Sequence, residues 1–138
     1  MLEKMIEYVA RLGISDKFHF TGFLKGYDVY RMYAMSDVYV MPSVSEPFGI
    51  APLEAIQSHV PVIISKQSGV SEVLTNAIKV DFWDTDAMAD AIYGILCYPA
   101  LSGYLKNQGG KEVENLKWSD TASKIREIYY RLAYPIAG

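Results

Sequence analysis

Residues 37–64 read DVYVMPSVSEPFGIAPLEAIQSHVPVII, and this stretch decides the fold. Asp37–Met41 is rich in β-formers and is stopped by Pro42, as a strand would be. Ile50–Gln57 reads as a helix with Pro52 in its first turn, where a missing N–H costs least. Val60–Ile64 is a continuous apolar run, the signature of a strand buried on both faces. Strand, helix and buried strand in short succession predict an α/β fold with a parallel sheet.

The same alternation continues outward. On the N-terminal side, residues 1–12 carry Leu2, Met5, Ile6, Val9 and Leu12 at helical spacing, and the helix stops near Gly13. Lys17–Phe20 is a short strand candidate. Tyr27–Ala34 reads as a helix with Val29, Tyr30, Tyr33 and Ala34 on its buried face. On the C-terminal side, a short helix opens at Ser68-Gly69 and runs to Leu74, and Ala77–Val80 is a further strand. Asp84 or Thr85 caps a helix carrying Met88, Ala91, Ile92, Ile95 and Leu96, which Pro99 ends. Leu101 to about Leu116 reads as helix interrupted at Gly109-Gly110. Ser119 or Asp120 caps a last helix with Ile125, Ile128, Tyr129 and Leu132 on one face, ending before Pro135. Four strands are expected, fewer than the five or six of most doubly wound sheets.

Composition narrows the class. The chain has 138 residues, 51% hydrophobic, 21% charged and of net charge −3, which excludes a disordered chain and fits one domain. No basic stripe is present, so no nucleic-acid partner is expected. Lys124, Arg126 and Arg131 are interleaved with Glu127 and read as a solvated helix face. Cys97 stands alone within Ile95-Leu96-Cys97 and is expected to be a small buried hydrophobe. With His19 and His59 it has no metal spacing. The helical N-terminus is unlike a signal peptide, and no run of 18 apolar residues exists to cross a membrane. The expected setting is a reducing one, the cytoplasm.

Chemistry concentrates in Ser45-Glu46-Pro47-Phe48-Gly49-Ile50-Ala51-Pro52-Leu53-Glu54. It follows the carboxyl end of a strand, the edge where open parallel sheets bind ligands. The N–H groups from about Phe48 to Ala51 open a helix and can hold an anion. Gly49 lets backbone approach a ligand closely. Glu46 and Glu54 flank that anion site, and each carboxylate can accept from two neighbouring hydroxyls. Were all eight intervening steps helical they would span about 12 Å, on the order of sugar to ribose across a diphosphate. The plain alternative is a pair of solvated, dipole-stabilised glutamates.

The stretch resembles the E-x7-E motif of retaining, family 4-like group 1 glycosyltransferases of the GT-B fold. Leu12-Gly13-Ile14 with Phe18-His19-Phe20-Thr21-Gly22-Phe23 is similar to that family's L-G-L…V-x-F-x-G-x-V. Tyr33-Ala34 and Ser36–Ser43 resemble its Y-x-x-A-D-V-F-V-x-P-S, and Pro61-Val62-Ile63 with Gly69–Val73 its P-V-I…G-G-x-x-E-V. The likeness covers nearly the whole chain. It implies a Rossmann-like sheet with flanking helices, the C-terminal, donor-binding domain of a GT-B enzyme, over residues 1–138. By the resemblance Glu46 is the catalytic residue, contacting donor-sugar hydroxyls together with Pro47, Phe48, Gly49 and Ile50 around sugar and diphosphate. Glu54 would take the ribose, and Thr21, Gly22, Phe23 and Leu24 would lie beside the base. The reaction implied moves a sugar from a nucleoside diphosphate sugar to a hydroxyl of a glycan, sugar or lipid, with retention and without a metal or other cofactor. A sugar-nucleotide 2-epimerase and a non-catalytic nucleotide-binding module are the alternatives on the same fold.

The departures are specific. Ser58-His59 replaces a small pair before Pro-Val, and His59 is read as a surface residue. Ser68-Gly69 stands where Gly-Gly is usual. Phe82-Trp83 packs over the sheet edge or lines the acceptor side, and Lys66 is a solvated loop lysine or meets a phosphate. The family's G-R-x…K-G segment, which supplies Arg and Lys to the diphosphate, has no counterpart around Arg11, Arg31, Arg126 or Arg131. The expectation is a chain that starts after the domain's first strands, lacks the acceptor-binding N-terminal domain, and is inactive alone. Apolar surface on Leu2–Leu12 and the last helix would then be exposed.

Overall fold

The computed structural model describes residues 2–133. They fall into two compact units, residues 2–30 and 31–133. The first unit holds α1 (Leu2–Arg11), a 3₁₀ turn (Ser15–Lys17) and the first turn of α2 (Tyr27–Ala34). Gly13 ends α1 at φ +69°, where its N–H donates to Ala10. Val9 is buried, whereas Leu2, Met5, Ile6, Tyr8 and Leu12 stay exposed. The expected strand Lys17–Phe20 does not form. Lys17 belongs to the 3₁₀ turn and Phe18–Phe20 is extended without a partner strand, its rings packing on each other at 5.4 Å. A strand needs a neighbour's ladder to pair its backbone, and none among the described residues supplies one.

The second unit contains β1 (Tyr39–Met41), α3 (Ala51–Gln57), β2 (Val62–Ser65), β3 (Ile78–Val80), α4 (Thr85–Cys97), α5 (Pro99–Glu114) and α6 (Trp118–Ala133). The three strands are parallel, in the order β1-β2-β3, with Tyr39 opposite Val62 and Ile63 opposite Ile78. Every residue of the central β2 is buried, as its uninterrupted apolar run requires. Period-two alternation divides β1 between two faces. Val38 and Val40 join the cluster of Ile63, Val80, Ile95 and Leu105. Met41 instead lies under Gly49, and Tyr39 meets the ring of Tyr33. In α2 it is Tyr33 that is buried; Tyr30 and Ala34 are exposed, against expectation, because the helix offers only a narrow stripe.

Helix ends follow local chemistry. α3 closes with the N–H of Val60 on Ala55 and that of His59 on Ile56, the double bond of a left-handed cap. His59 occupies the left-handed position at φ 60°, where glycine is the usual choice. Asp84 caps α4 by accepting from Ala87 N–H at 2.9 Å. Three expectations fail here. α5 runs unbroken through Gly109-Gly110, because Gly109 is where α5 meets Ile56 of α3 and the missing side chain makes room. Cys97 and Leu96 are exposed: the inward stripe of α4 is Ala87, Met88, Ala91, Ile92 and Ile95, and the helical period turns the next two residues outward. α6 starts at Trp118 rather than after a Ser119 or Asp120 cap; it buries no residue, and its Ile125, Ile128, Tyr129 and Leu132 face solvent, as expected of the last helix. The expected stop at Pro135 lies outside the described residues.

Candidate functional site

Three parallel strands bring their carboxyl ends to one edge. The segments that gather there are Pro42–Ile50 after β1, Lys66–Gly69 after β2 and Asp81–Asp84 after β3. The first two are stitched together. Glu46 forms a parallel bridge with Ser68, Gly69 N–H donates to Glu46 C=O at 2.9 Å, and Val70 N–H to Phe48 C=O at 2.7 Å. Below this bridge the buried Ser65 donates its hydroxyl to Ser43 C=O at 2.6 Å, and the buried Ser68 to Ser65 C=O at 2.7 Å. The loop carrying Glu46 is thus anchored through its carbonyls.

Gly49 turns the chain into α3 at φ +88°; a Cβ there would press on Glu46 Cγ and Met41 Cε, each at 3.1 Å. α3 then begins at Ala51, one residue later than expected, and Ile50 provides no side-chain cap. The Ile50 carbonyl accepts from Leu53 and Glu54. Among the described residues, the N–H groups of Phe48, Gly49 and Ile50 meet no protein acceptor. They are successive open donors of the turn that leads into α3 and suit an anion.

Only Ala51–Glu54 of the eight-step span is helical, so the 12 Å helical ruler does not describe Glu46 to Glu54. The two carboxylates nevertheless share a neighbourhood. Burial pushes the Tyr39 phenol up from its ordinary pKa, and the charges of Glu54 and then Glu46 push it further. The Tyr33 hydroxyl lies 3.3 Å from Ala51 C=O and 3.5 Å from Glu54 Oε2. These tyrosines escaped sequence reasoning as site residues because Tyr33 read as helix packing and Tyr39 as strand composition. The alternation along β1, which sends Tyr39 to the same face as Met41, was the available signal.

The structure brings Glu46, Pro47, Phe48, Gly49, Ile50 and Glu54 into one loop and helix start of the second unit. Thr21, Gly22, Phe23 and Leu24 belong to the first unit, where Gly22 is left-handed at φ +69° and Phe23 is 86% exposed beneath the Lys25 ammonium. Lys66 pairs with Asp81 at 2.8 Å, and Gln67 donates to the same carboxylate at 2.9 Å. Those hydrogen bonds, Lys66 first, hold Asp81 below the usual carboxylate range, so an anion at Lys66 would meet an ammonium already paired with Asp81. Phe82 stacks edge-on against the exposed Trp83 at the sheet edge. Among the described residues no cluster of three His, Cys, Asp or Glu could hold a metal ion. No described helix is long and apolar enough to cross a membrane.

Comparison with known proteins gives this geometry a family. The profile of the family described as "Glycosyl transferases group 1" matches residues 1–111. An uncharacterized glycosyltransferase of Methanocaldococcus jannaschii is 33% identical over 133 residues, 94% of this chain and 34% of that protein. The structure of sucrose-phosphate synthase from Thermosynechococcus elongatus superposes with a TM-score of 0.80 at 29% identity, over 94% of this chain and 34% of that one. The C-terminal domain of a group 1 glycosyl transferase from Francisella tularensis shares the fold, with a TM-score of 0.75 at 23% identity over 81% of this chain and 60% of that one. The chain spans about a third of the length of the curated relatives it matches. On the profile match and the shared parallel fold, the chain belongs to the group 1 glycosyl transferases and has the architecture of their C-terminal domain.

Proposed function

We propose that these residues form the donor-binding part of a retaining glycosyltransferase. It moves a sugar from a nucleoside diphosphate sugar to a hydroxyl acceptor. The observation that carries this reading is the run of open N–H donors at Phe48–Ile50, flanked by Glu46 and Glu54. Family membership and the likeness to a sucrose-phosphate synthase support it.

In this reading the diphosphate sits on the orphan N–H groups, where the helix start favours negative charge. Glu46 accepts from hydroxyls of the donor sugar and positions its anomeric carbon, with Pro47 and Phe48 shaping the pocket wall. Glu54 accepts from the ribose. The leaving diphosphate stays on the acceptor's face and helps take the acceptor proton, so no metal or other cofactor is needed. Charge developing on the leaving group wants cations, and Lys66 is committed to Asp81. The 138 residues alone are therefore expected to bind donor without turning it over.

Saturation-transfer NMR with UDP-, GDP- and ADP-glucose tests this reading. One donor should receive saturation on both its hexose and ribose protons. Glu46→Gln should lose the hexose signal first and Glu54→Ala the ribose signal. Equal spectra for all three proteins, or no transfer to any donor, would overturn the assignment. Steady turnover by the 138-residue protein would overturn the claim of inactivity.

A further inference from the structure

Tyr33 lies in the last turn of α2, with its ring only 8% exposed. The ring is set edge-on to Tyr39, centroids 5.8 Å apart at 71°. Packing therefore fixes the ring while its hydroxyl reaches two acceptors, Ala51 C=O at 3.3 Å and Glu54 Oε2 at 3.5 Å. A phenol has one proton to donate, so the two acceptors compete for it. Both separations exceed the ordinary O–H···O distance of about 2.7–2.8 Å. The hydroxyl stands between the first residue of α3 and a carboxylate one turn further on, within reach of both. Hydrogen bonds around binding groups are often long in the free protein and tighten in the complex.

We propose that Tyr33 is a positioning residue for Glu54, donating to one carboxylate oxygen so that the carboxylate is aimed at a vicinal diol of the ribose. The inference rests on the reading of Glu54 as the ribose acceptor. An unheld glutamate side chain samples several rotamers, and each bond to a diol must then offset that freedom. A donor to one carboxylate oxygen narrows the choice. A purely structural Tyr33, anchoring α3 through Ala51 alone, would affect every ligand of the site alike.

The test is a cycle between protein and ligand. Isothermal titration measures UDP, GDP and ADP and their 2′-deoxy counterparts against wild type and Tyr33→Phe. Wild type is expected to prefer the ribose form. Tyr33→Phe should cut that preference about three- to tenfold, the worth of one hydrogen bond, while 2′-deoxy affinity changes little. An unchanged preference in Tyr33→Phe overturns the inference and leaves the Glu54 reading intact. Wild type that binds both forms equally, or binds none, overturns the ribose reading and the inference with it. Should Tyr33→Phe melt, 2,3-difluorotyrosine at position 33, titrated at about pH 6 so that the more acidic phenol keeps its proton, retains the ring and strengthens the donor. It is expected to raise the preference, and an unchanged value counts against the inference.

Discussion

Gly69→Ala tests how the Glu46 loop is held. Gly69 has no need of an unusual backbone angle; its constraint is space. A Cβ built there falls 2.8 Å from the Pro47 carbonyl carbon, nearer still to its oxygen, and 3.2 Å from Phe48 Cα. All three are backbone atoms, so no rotamer change relieves the clash. The Lys66–Glu72 segment and the Glu46 loop must separate. Two hydrogen bonds cross that seam, Gly69 N–H to Glu46 C=O at 2.9 Å and Val70 N–H to Phe48 C=O at 2.7 Å. At about 0.5–1.5 kcal/mol each, their loss predicts a destabilisation of about 1–3 kcal/mol. For a chain of this size that lowers the melting temperature by about 4–12 °C. Displacement of the loop should also weaken binding of any ligand held on the Phe48–Ile50 donors. Thermal denaturation by circular dichroism, paired with nucleoside diphosphate titration, reads both quantities. A Gly69→Ala protein that melts within 1 °C of wild type and binds as well would refute the stitched-loop account.

Further expectations concern the scaffold. Glu112 of α5 accepts from Thr75 N–H at 2.7 Å, Thr75 Oγ1 at 2.6 Å, Asn76 N–H at 2.9 Å and Asn76 Nδ2 at 3.0 Å. Burial pushes its pKa up, but these donors outweigh burial and hold it below the usual glutamate value. A depressed carboxylate stabilises the fold above its unfolded pKa and loses that contribution as pH falls through the folded value. Denaturant melts should therefore show Glu112→Gln less stable by about 1–2 kcal/mol at pH 7, with the gap closing on acidification below the ordinary glutamate range. His59→Gly removes a side chain from a left-handed cap and should stabilise by about 0.5–1 kcal/mol in the same assay. Gly103 and Gly110 lie inside α5 with open space where a Cβ would go. Their Ala variants should each gain about 0.5–1 kcal/mol, and a loss at either would contradict the packing described for α5.

The sheet was legible because its strands are short apolar runs between unambiguous punctuators: Pro42 after β1, and Pro61 within the run that becomes β2. Asp84 announced α4 by its own chemistry. What escaped depends on neighbours. Phe18–Phe20 has β-forming residues but no strand beside it. Gly109 looked like a helix breaker and is instead a contact with Ile56. Cys97 followed the composition of its tripeptide, whereas its exposure follows the phase of α4. At the candidate site, Glu46 and Glu54 stood out through the family likeness more than through their spacing. The hold on them did not: it comes from Gly69, Val70 and Tyr33, each 18 or more residues in sequence from the group it bonds.

The measurement that bears most directly on the central claim is nucleoside diphosphate binding to the 138-residue protein, compared with Glu54→Ala, by isothermal titration calorimetry. Saturable one-site binding of UDP, GDP or ADP is expected, weakened about tenfold or more by Glu54→Ala, as the loss of charge-assisted bonds to a diol implies. No saturable binding by wild type, or equal affinity in Glu54→Ala, would contradict the account.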